Sequence, residues 1–228
     1  MMNRTLKSAK LDFYSANNTV TTLMLLLGLN VIISFLIRNP MTSMTTGMLF
    51  ATTASGLIFI AHNGSHGGKL YGILPLRKHE IVVGRYIYGM IIGLISLIFA
   101  YILSVLVMIV FNMQPSFESM NTILLPMAAL MFIFYCLIIG VSYPLYFALG
   151  YKTIMVIPPV VINLMFNIYA IPFIYTMKPD SPGWIDRHFK FFAVPYLYLT
   201  VGIGFAIGLA LIVISVIIAY LIYRKKEI

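Results

Sequence analysis

Charge is what this chain has least of. Only 9% of its 228 residues are Asp, Glu, Lys or Arg, and just six are acidic. Average soluble domains carry about 25% charged residues, so an ordinary soluble fold is excluded. A single cysteine, Cys136, rules out an intrachain disulfide. It sits in an apolar run and reads as a small buried hydrophobe. Scarce acids leave 15 Lys and Arg in excess, with a net charge of +9 and a pI near 9.6. No soluble segment interleaves aromatic and basic residues, so the excess does not point to nucleic acid. In so apolar a chain it points to basic residues gathered on the cytoplasmic side of a membrane.

What is abundant is hydrophobicity: 61% of residues, with a mean hydropathy of +0.98. A spanning helix needs about 20 consecutive apolar residues, and the chain has room for about six. The expected fold is an all-α integral membrane protein with six transmembrane helices and both termini cytoplasmic. Residues 1–18 are polar for too long to be a cleaved signal. With Arg4, Lys7 and Lys10 beside Leu6, Ala9, Leu11, Phe13 and Tyr14, they predict a cytoplasmic interfacial helix. Spans are expected at 19–37, 44–61, 86–111, 122–150, 153–176 and 193–223, within one transmembrane domain, 1–228. The first two are separated by a turn at Arg38-Asn39-Pro40. Residues 62–85 form a polar cytoplasmic segment, and 177–192 an outer loop holding the one tryptophan, Trp184. In this orientation only Arg38, Lys178, Arg187 and Lys190 of the 15 basic residues fall outside, as the positive-inside bias requires.

With these limits no Asp, Glu, Lys, Arg or His falls within a span. Ion-coupled transport and intramembrane hydrolysis need ionisable groups at depth, so both are disfavoured and the energy for any transport comes from elsewhere. Asn163 and Asn167 share one face of the fifth span, where they serve helix packing or line a conduit. Pro158, Pro159 and Pro172 break or kink that span. Gly89-x-x-x-Gly93 and Gly204-x-x-x-Gly208 are small-residue seams for close helix contact.

Two motifs fail on inspection. Asn63-Gly64-Ser65-His66-Gly67-Gly68-Lys69-Leu70 lacks the first glycine of a phosphate-binding loop, and Leu70 stands where a hydroxyl must reach magnesium. His79-Glu80-Ile81-Val82-Val83 has Val83 in place of the second histidine of a zinc-protease helix. His62 and His66, four apart, have no third ligand nearby. No catalytic residue, metal site or cofactor of this chain's own is expected.

Two segments resemble a known family. Residues 74–86, LPLRKHEIVVGRY, resemble the LP-x-x-R-x-E-I-V-x-x-K-Y segment that follows the second helix of bacterial ABC-2 type transporter permeases. Here His79 separates Lys78 from Glu80, and Arg85 stands where Lys is usual. Residues 143–152, YPLYFALGYK, resemble their P-L-Y-x-x-x-G-Y segment at the end of the fourth helix. Together with the six-helix layout, the resemblance covers essentially the whole chain. Short Gram-positive permeases that export amphipathic peptides, phenol-soluble modulin exporters among them, are similar.

The resemblance implies a multi-pass subunit of the bacterial cytoplasmic membrane, paired with itself or a related permease. A separate ABC ATPase subunit would hold ATP and magnesium. Leu70, Tyr71, Ile73, Leu74 and Pro75 would be its apolar anchors, and Arg77, Lys78, Glu80 and Arg85 its charged contacts. Trp184 would gate the outer mouth. The expected function is export of amphipathic peptides or lipophilic compounds across the cytoplasmic membrane, with membrane lipid surrounding the subunit. The alternatives are the six-helix small-molecule-binding subunit of an importer and a permease conferring bacteriocin or antibiotic immunity.

Overall fold

The computed structural model describes residues 17–64, 77–112, 117–149 and 197–225, with side chains over 21–59, 77–112, 124–149 and 198–225. These form five helices: α1 (Asn17–Ile37), α2 (Pro40–Gly64), α3 (Lys78–Val110), α4 (Phe117–Leu149) and α5 (Leu197–Arg224). The expected interfacial helix lies outside the described residues except for its last two positions, which belong to α1. The expected fifth span at 153–176 also lies outside them. Long apolar stretches within α3, α4 and α5 have the length and composition to cross a membrane.

The α1–α2 turn is closed by local chemistry. Arg38 adopts a positive φ of 54° and its N–H donates to the Ser34 carbonyl at 3.0 Å, ending α1. Asn39 caps α2: its Oδ1 accepts the Met41 N–H at 2.9 Å, and Pro40 occupies the first helical position, where no N–H is needed. The Arg38 guanidinium lies 5.3 Å from the Phe111 ring at the end of α3.

Below this turn the hydroxyls of α2 meet α1 and α3. Asn30, fully buried, donates through Nδ2 to the Ser43 carbonyl at 3.1 Å and accepts through Oδ1 from Thr46. Ser104 on α3 donates to the Pro40 carbonyl at 2.7 Å and bonds the Ser43 hydroxyl. Lipid offers no hydrogen-bonding partner, so polar side chains of spanning helices turn toward other helices. Apolar side chains fill the interior, Met44, Ile92 and Phe132 among them, and also coat the outside, with Met24, Leu25, Ile98, Ile102, Val213 and Ile217 all exposed.

Directions follow from the cross-helix contacts. α3 runs antiparallel to α2, α4 and α5: Ser43 meets Ser104, Gly93 faces Tyr135, and Tyr86 bonds Ser215. α4 and α5 are parallel, with Gly204 against Ala129, Gly208 against Phe132, and Ser215 donating to Gly140. Leu149 and Leu197 therefore stand at opposite ends of the bundle. The glycine pairs serve packing as their spacing predicts, but the first pair seats rings rather than a bare backbone seam. A Cβ on Gly93 would come within 2.2 Å of the Tyr135 ring, and one on Gly89 within 2.5 Å of the Tyr143 hydroxyl.

Pro144 lies inside α4 and has no N–H for the carbonyl of Gly140, four residues earlier. The Ser215 hydroxyl of α5 supplies that hydrogen bond at 2.7 Å, and Tyr86 of α3 bonds the same serine at 2.5 Å. One proline-freed carbonyl thus joins three helices. Ser215→Ala is expected to destabilise the fold by about 1 kcal/mol. In a Pro144→Ala background the cost should shrink, because residue 144 then carries an N–H for Gly140. Unfolding in mixed detergent, run as a double-mutant cycle, measures the difference; equal costs in both backgrounds would disprove the link. Gly93→Ala should cost about 1–3 kcal/mol by overpacking. Gly202→Ala, with nothing within 4 Å of the added Cβ, should stay within about 0.5 kcal/mol.

Candidate functional site

The end of the bundle where α3 begins and α2, α4 and α5 finish gathers the charge. Among the described residues Arg77, Lys78, Arg85, Arg224 and Lys225 stand there, against Arg38 at the other end. α3 starts at Lys78, earlier than the expected residue 86. Its start is built by Glu80, whose Oε2 accepts the Arg77 N–H at 2.9 Å. The Glu80 and Ile81 N–H groups then donate to the Arg77 carbonyl at 2.9 and 3.3 Å. Glu80 supplies the acidic half of a capping box, and its charge lies at the positive end of the helix dipole. This local chemistry starts the helix at Lys78-His79-Glu80, with Arg77 as its N-cap.

The helices run past the expected spans and take in ionisable residues that lie outside those limits. Helix α3 includes Lys78, His79, Glu80 and Arg85, α2 includes His62, α4 includes Glu118, and α5 ends with Arg224. A helix can extend past the apolar limit when a carboxylate caps it and aromatic faces receive its cation.

Arg85 shows how the cation is received. It is 5% exposed, with its guanidinium 4.6 Å from the Phe59 ring of α2 and 5.3 Å from the Phe147 ring of α4. Such cation–π contacts contribute about 2 kcal/mol when desolvated, against a similar cost for placing a charge among apolar helices. Phe59 packs on Tyr143, Tyr146 and Phe147 at 4.9, 4.9 and 5.4 Å, and Phe147 reaches Tyr223 of α5 at 5.3 Å. Tyr143 also donates to the Ser55 carbonyl at 3.2 Å and stacks edge-on with Tyr86 at 4.9 Å. At the rim, Lys78 Nζ donates to the Arg224 carbonyl at 3.5 Å, and His79 stands edge-on to Tyr220 at 6.5 Å.

The residues expected to dock a partner separate into two groups. Arg77 is exposed and Lys78 partly so, at the rim. Glu80, at 2% exposed, and Arg85 are buried in the chain: the Glu80 carboxylate is turned to the Arg77 N–H of its own helix, and the Arg85 guanidinium to rings of α2 and α4. Leu70, Tyr71, Ile73, Leu74 and Pro75 lie outside the described residues, as do Asn163, Asn167 and Trp184. Phe59 was not singled out in the sequence, and the family-like segment 143–152 was noted without assigning any contact to its Tyr143, Tyr146 and Phe147. Their signal was the i, i+3, i+4 spacing of aromatics around Pro144, hidden in a chain that is 14% aromatic.

Fold and site define a polytopic helical membrane protein whose ionisable side chains concentrate at one end and tie the helices to each other. Comparison with family models makes this specific. The chain belongs to the ABC-2 family transporter proteins, whose model matches residues 9–224. It is thus a permease subunit of an ABC transporter, a system with an ATPase partner. None of the curated proteins matches it.

Replacing the cap tests the start of α3. Glu80→Ala should destabilise it by about 1 kcal/mol, read as faster amide hydrogen exchange over residues 78–82. Glu80→Gln, which keeps an acceptor, should recover most of the protection. Unchanged exchange in both variants would refute the capping role.

Proposed function

We propose that this permease subunit exports amphipathic peptides or lipophilic compounds, driven by an ATPase subunit that docks on the segment before α3. The observation that supports the docking site is the basic end itself, where the starting turn of α3 meets the last turns of α2, α4 and α5. A motor seated there reaches four helices at once. Leu70, Tyr71, Ile73, Leu74 and Pro75 supply apolar anchors, and Arg77 and Lys78 supply charge-assisted contacts. ATP and magnesium belong to the motor.

The positive-inside bias supports a cytoplasmic basic end. The parallel course of α4 and α5 supports a sixth crossing, because residues 150–196 join opposite ends. The narrower similarity to phenol-soluble modulin exporters, pairing into a homodimer or heterodimer, and an outer gate at Trp184 complete the proposal. Its setting is the bacterial cytoplasmic membrane. Importer-subunit and immunity roles differ by cargo and direction.

The test is co-expression with the ATPase subunit encoded beside this chain, followed by purification in detergent. The wild type should retain the ATPase. Arg77→Ala with Lys78→Ala should weaken the complex by about tenfold, with a reduced dependence on salt. An ATPase that never associates, or that binds the double variant unchanged, would overturn the docking site.

A further inference from the structure

We infer that Arg85 is a positioning residue: it carries displacement of the α3 start to the ends of α2 and α4 and makes no contact with the motor. The inference rests on the proposed docking of an ATPase before α3. Burial excludes a motor contact, since Arg85 is 5% exposed. Its guanidinium instead faces one ring from α2, Phe59, and one from α4, Phe147, at 4.6 and 5.3 Å.

Arg85 lies seven residues into α3, about 10 Å from the helix start at a rise of about 1.5 Å per residue. The intervening turns are stiffened at their origin by the Glu80 carboxylate on the Arg77 N–H. A push at the rim therefore arrives at Arg85 as movement of a rigid rod.

The receiving side is built to bend. Phe147 lies beyond Pro144, where α4 has lost the hydrogen bond from residue 144 to Gly140. Ser215 of α5 holds that carbonyl from outside. The last turn of α4 can swing about Pro144, its Phe147 shifting on the Tyr223 ring, while the helix before Gly140 stays docked on Gly204 and Gly208 of α5. Phe59 belongs to the same aromatic pack, so α2 follows. A cation between two rings suits this task because it attracts both faces without demanding one fixed hydrogen-bond geometry.

The experiment uses spin labels at Val83→Cys, a half-buried position near the start of α3 with no part in docking, and Leu145→Cys, with Cys136→Ser to remove the native thiol. Leu145 is an exposed position on α4, just past Pro144. Arg85→Met keeps the length and apolar stem and removes the cation; Arg85→Lys keeps the charge. In the chain alone in lipid nanodiscs, the distance distribution between the labels should be narrow with Arg85. It should broaden with Arg85→Met and fall between the two with Arg85→Lys. An unchanged distribution with Arg85→Met would overturn the tie, whatever a motor does.

In the complex with the co-expressed ATPase, ATP with vanadate should change the signal of both labels. With Arg85→Met the response at Val83 should persist, while that at Leu145 is lost, because both cation–π contacts go with the guanidinium. Equal responses at Leu145 in wild type and Arg85→Met would overturn the transmission. If wild type binds no ATPase, the docking site falls instead, and the nanodisc measurement still decides whether Arg85 ties α3 to α4.

Discussion

Placing a guanidinium among apolar helices is unfavourable unless other elements bring it compensating partners, and Arg85 draws them from two directions. Phe59 arrives from α2 and Phe147 from α4, while Tyr223 of α5 backs Phe147. Each ring is held by further rings, so satisfying one cation organises the ends of four helices. The attraction is electrostatic and strengthens as water leaves. The basic end is therefore dry at its centre and charged at its rim, and its two cation groups do different work. Arg77 and Lys78 stay where water or a partner can reach them, whereas Arg85 acts inside the fold.

The same constraint, applied to the backbone, explains the middle of the bundle. A carbonyl without a donor is costly in a low-dielectric interior. Pro144 creates one at Gly140, and α5 answers with Ser215. Tyr135 and Tyr143 donate to the Gly89 and Ser55 carbonyls, adding hydrogen bonds between helices whose own ladders continue. These ties reach across because Gly89 and Gly93 leave room for the tyrosine rings. Near the α1–α2 turn, Asn30, Ser43, Thr46 and Ser104 play the corresponding part. Among helices coated with apolar side chains, these sparse polar pairs distinguish one docking from another.

Much of this architecture was legible in composition and length. Apolar runs located α1, α2, α4 and α5 to within a few residues, and Arg38-Asn39-Pro40 marked its turn correctly. The start of α3 was misplaced because hydropathy reads Lys78, His79, Glu80 and Arg85 as loop residues. Their helicity comes from a cap and from rings distant in sequence, which a hydropathy pattern does not encode. The motif resemblance at 74–86 located the right region but merged rim and interior residues, since a spacing of five between Glu80 and Arg85 does not tell which faces outward. The aromatics were invisible as receivers for a similar reason. Phe59 and Phe147 matter through contacts 26 and 62 residues away from Arg85, and although Phe147 lies in the family-like segment 143–152, neither local stretch shows that it receives a cation.

The location of Pro144 connects the two ends of this reasoning. A proline in a packed helix usually weakens it, and here the resulting defect is mended by a neighbouring helix rather than by the segment itself. That division pins α4 to α5 at Gly140; beyond Pro144 the helix meets α5 through the Phe147–Tyr223 ring pair and, one backbone hydrogen bond short, is the more compliant part in the proposed relay. Compliance at this point would be a liability if the terminal turn bore only greasy side chains against lipid. It bears Tyr146 and Phe147 instead, packed on Phe59 and, through Phe147, on the one buried guanidinium of the described residues. The soft part of α4 is thus attached to the rigid, capped start of α3. An arrangement with both helices stiff would resist a push at the rim, and one with both soft would absorb it. In the proposed relay, a stiff α3 acting on a hinged α4 would turn a displacement at the start of α3 into movement of the helix ends that Arg85 joins.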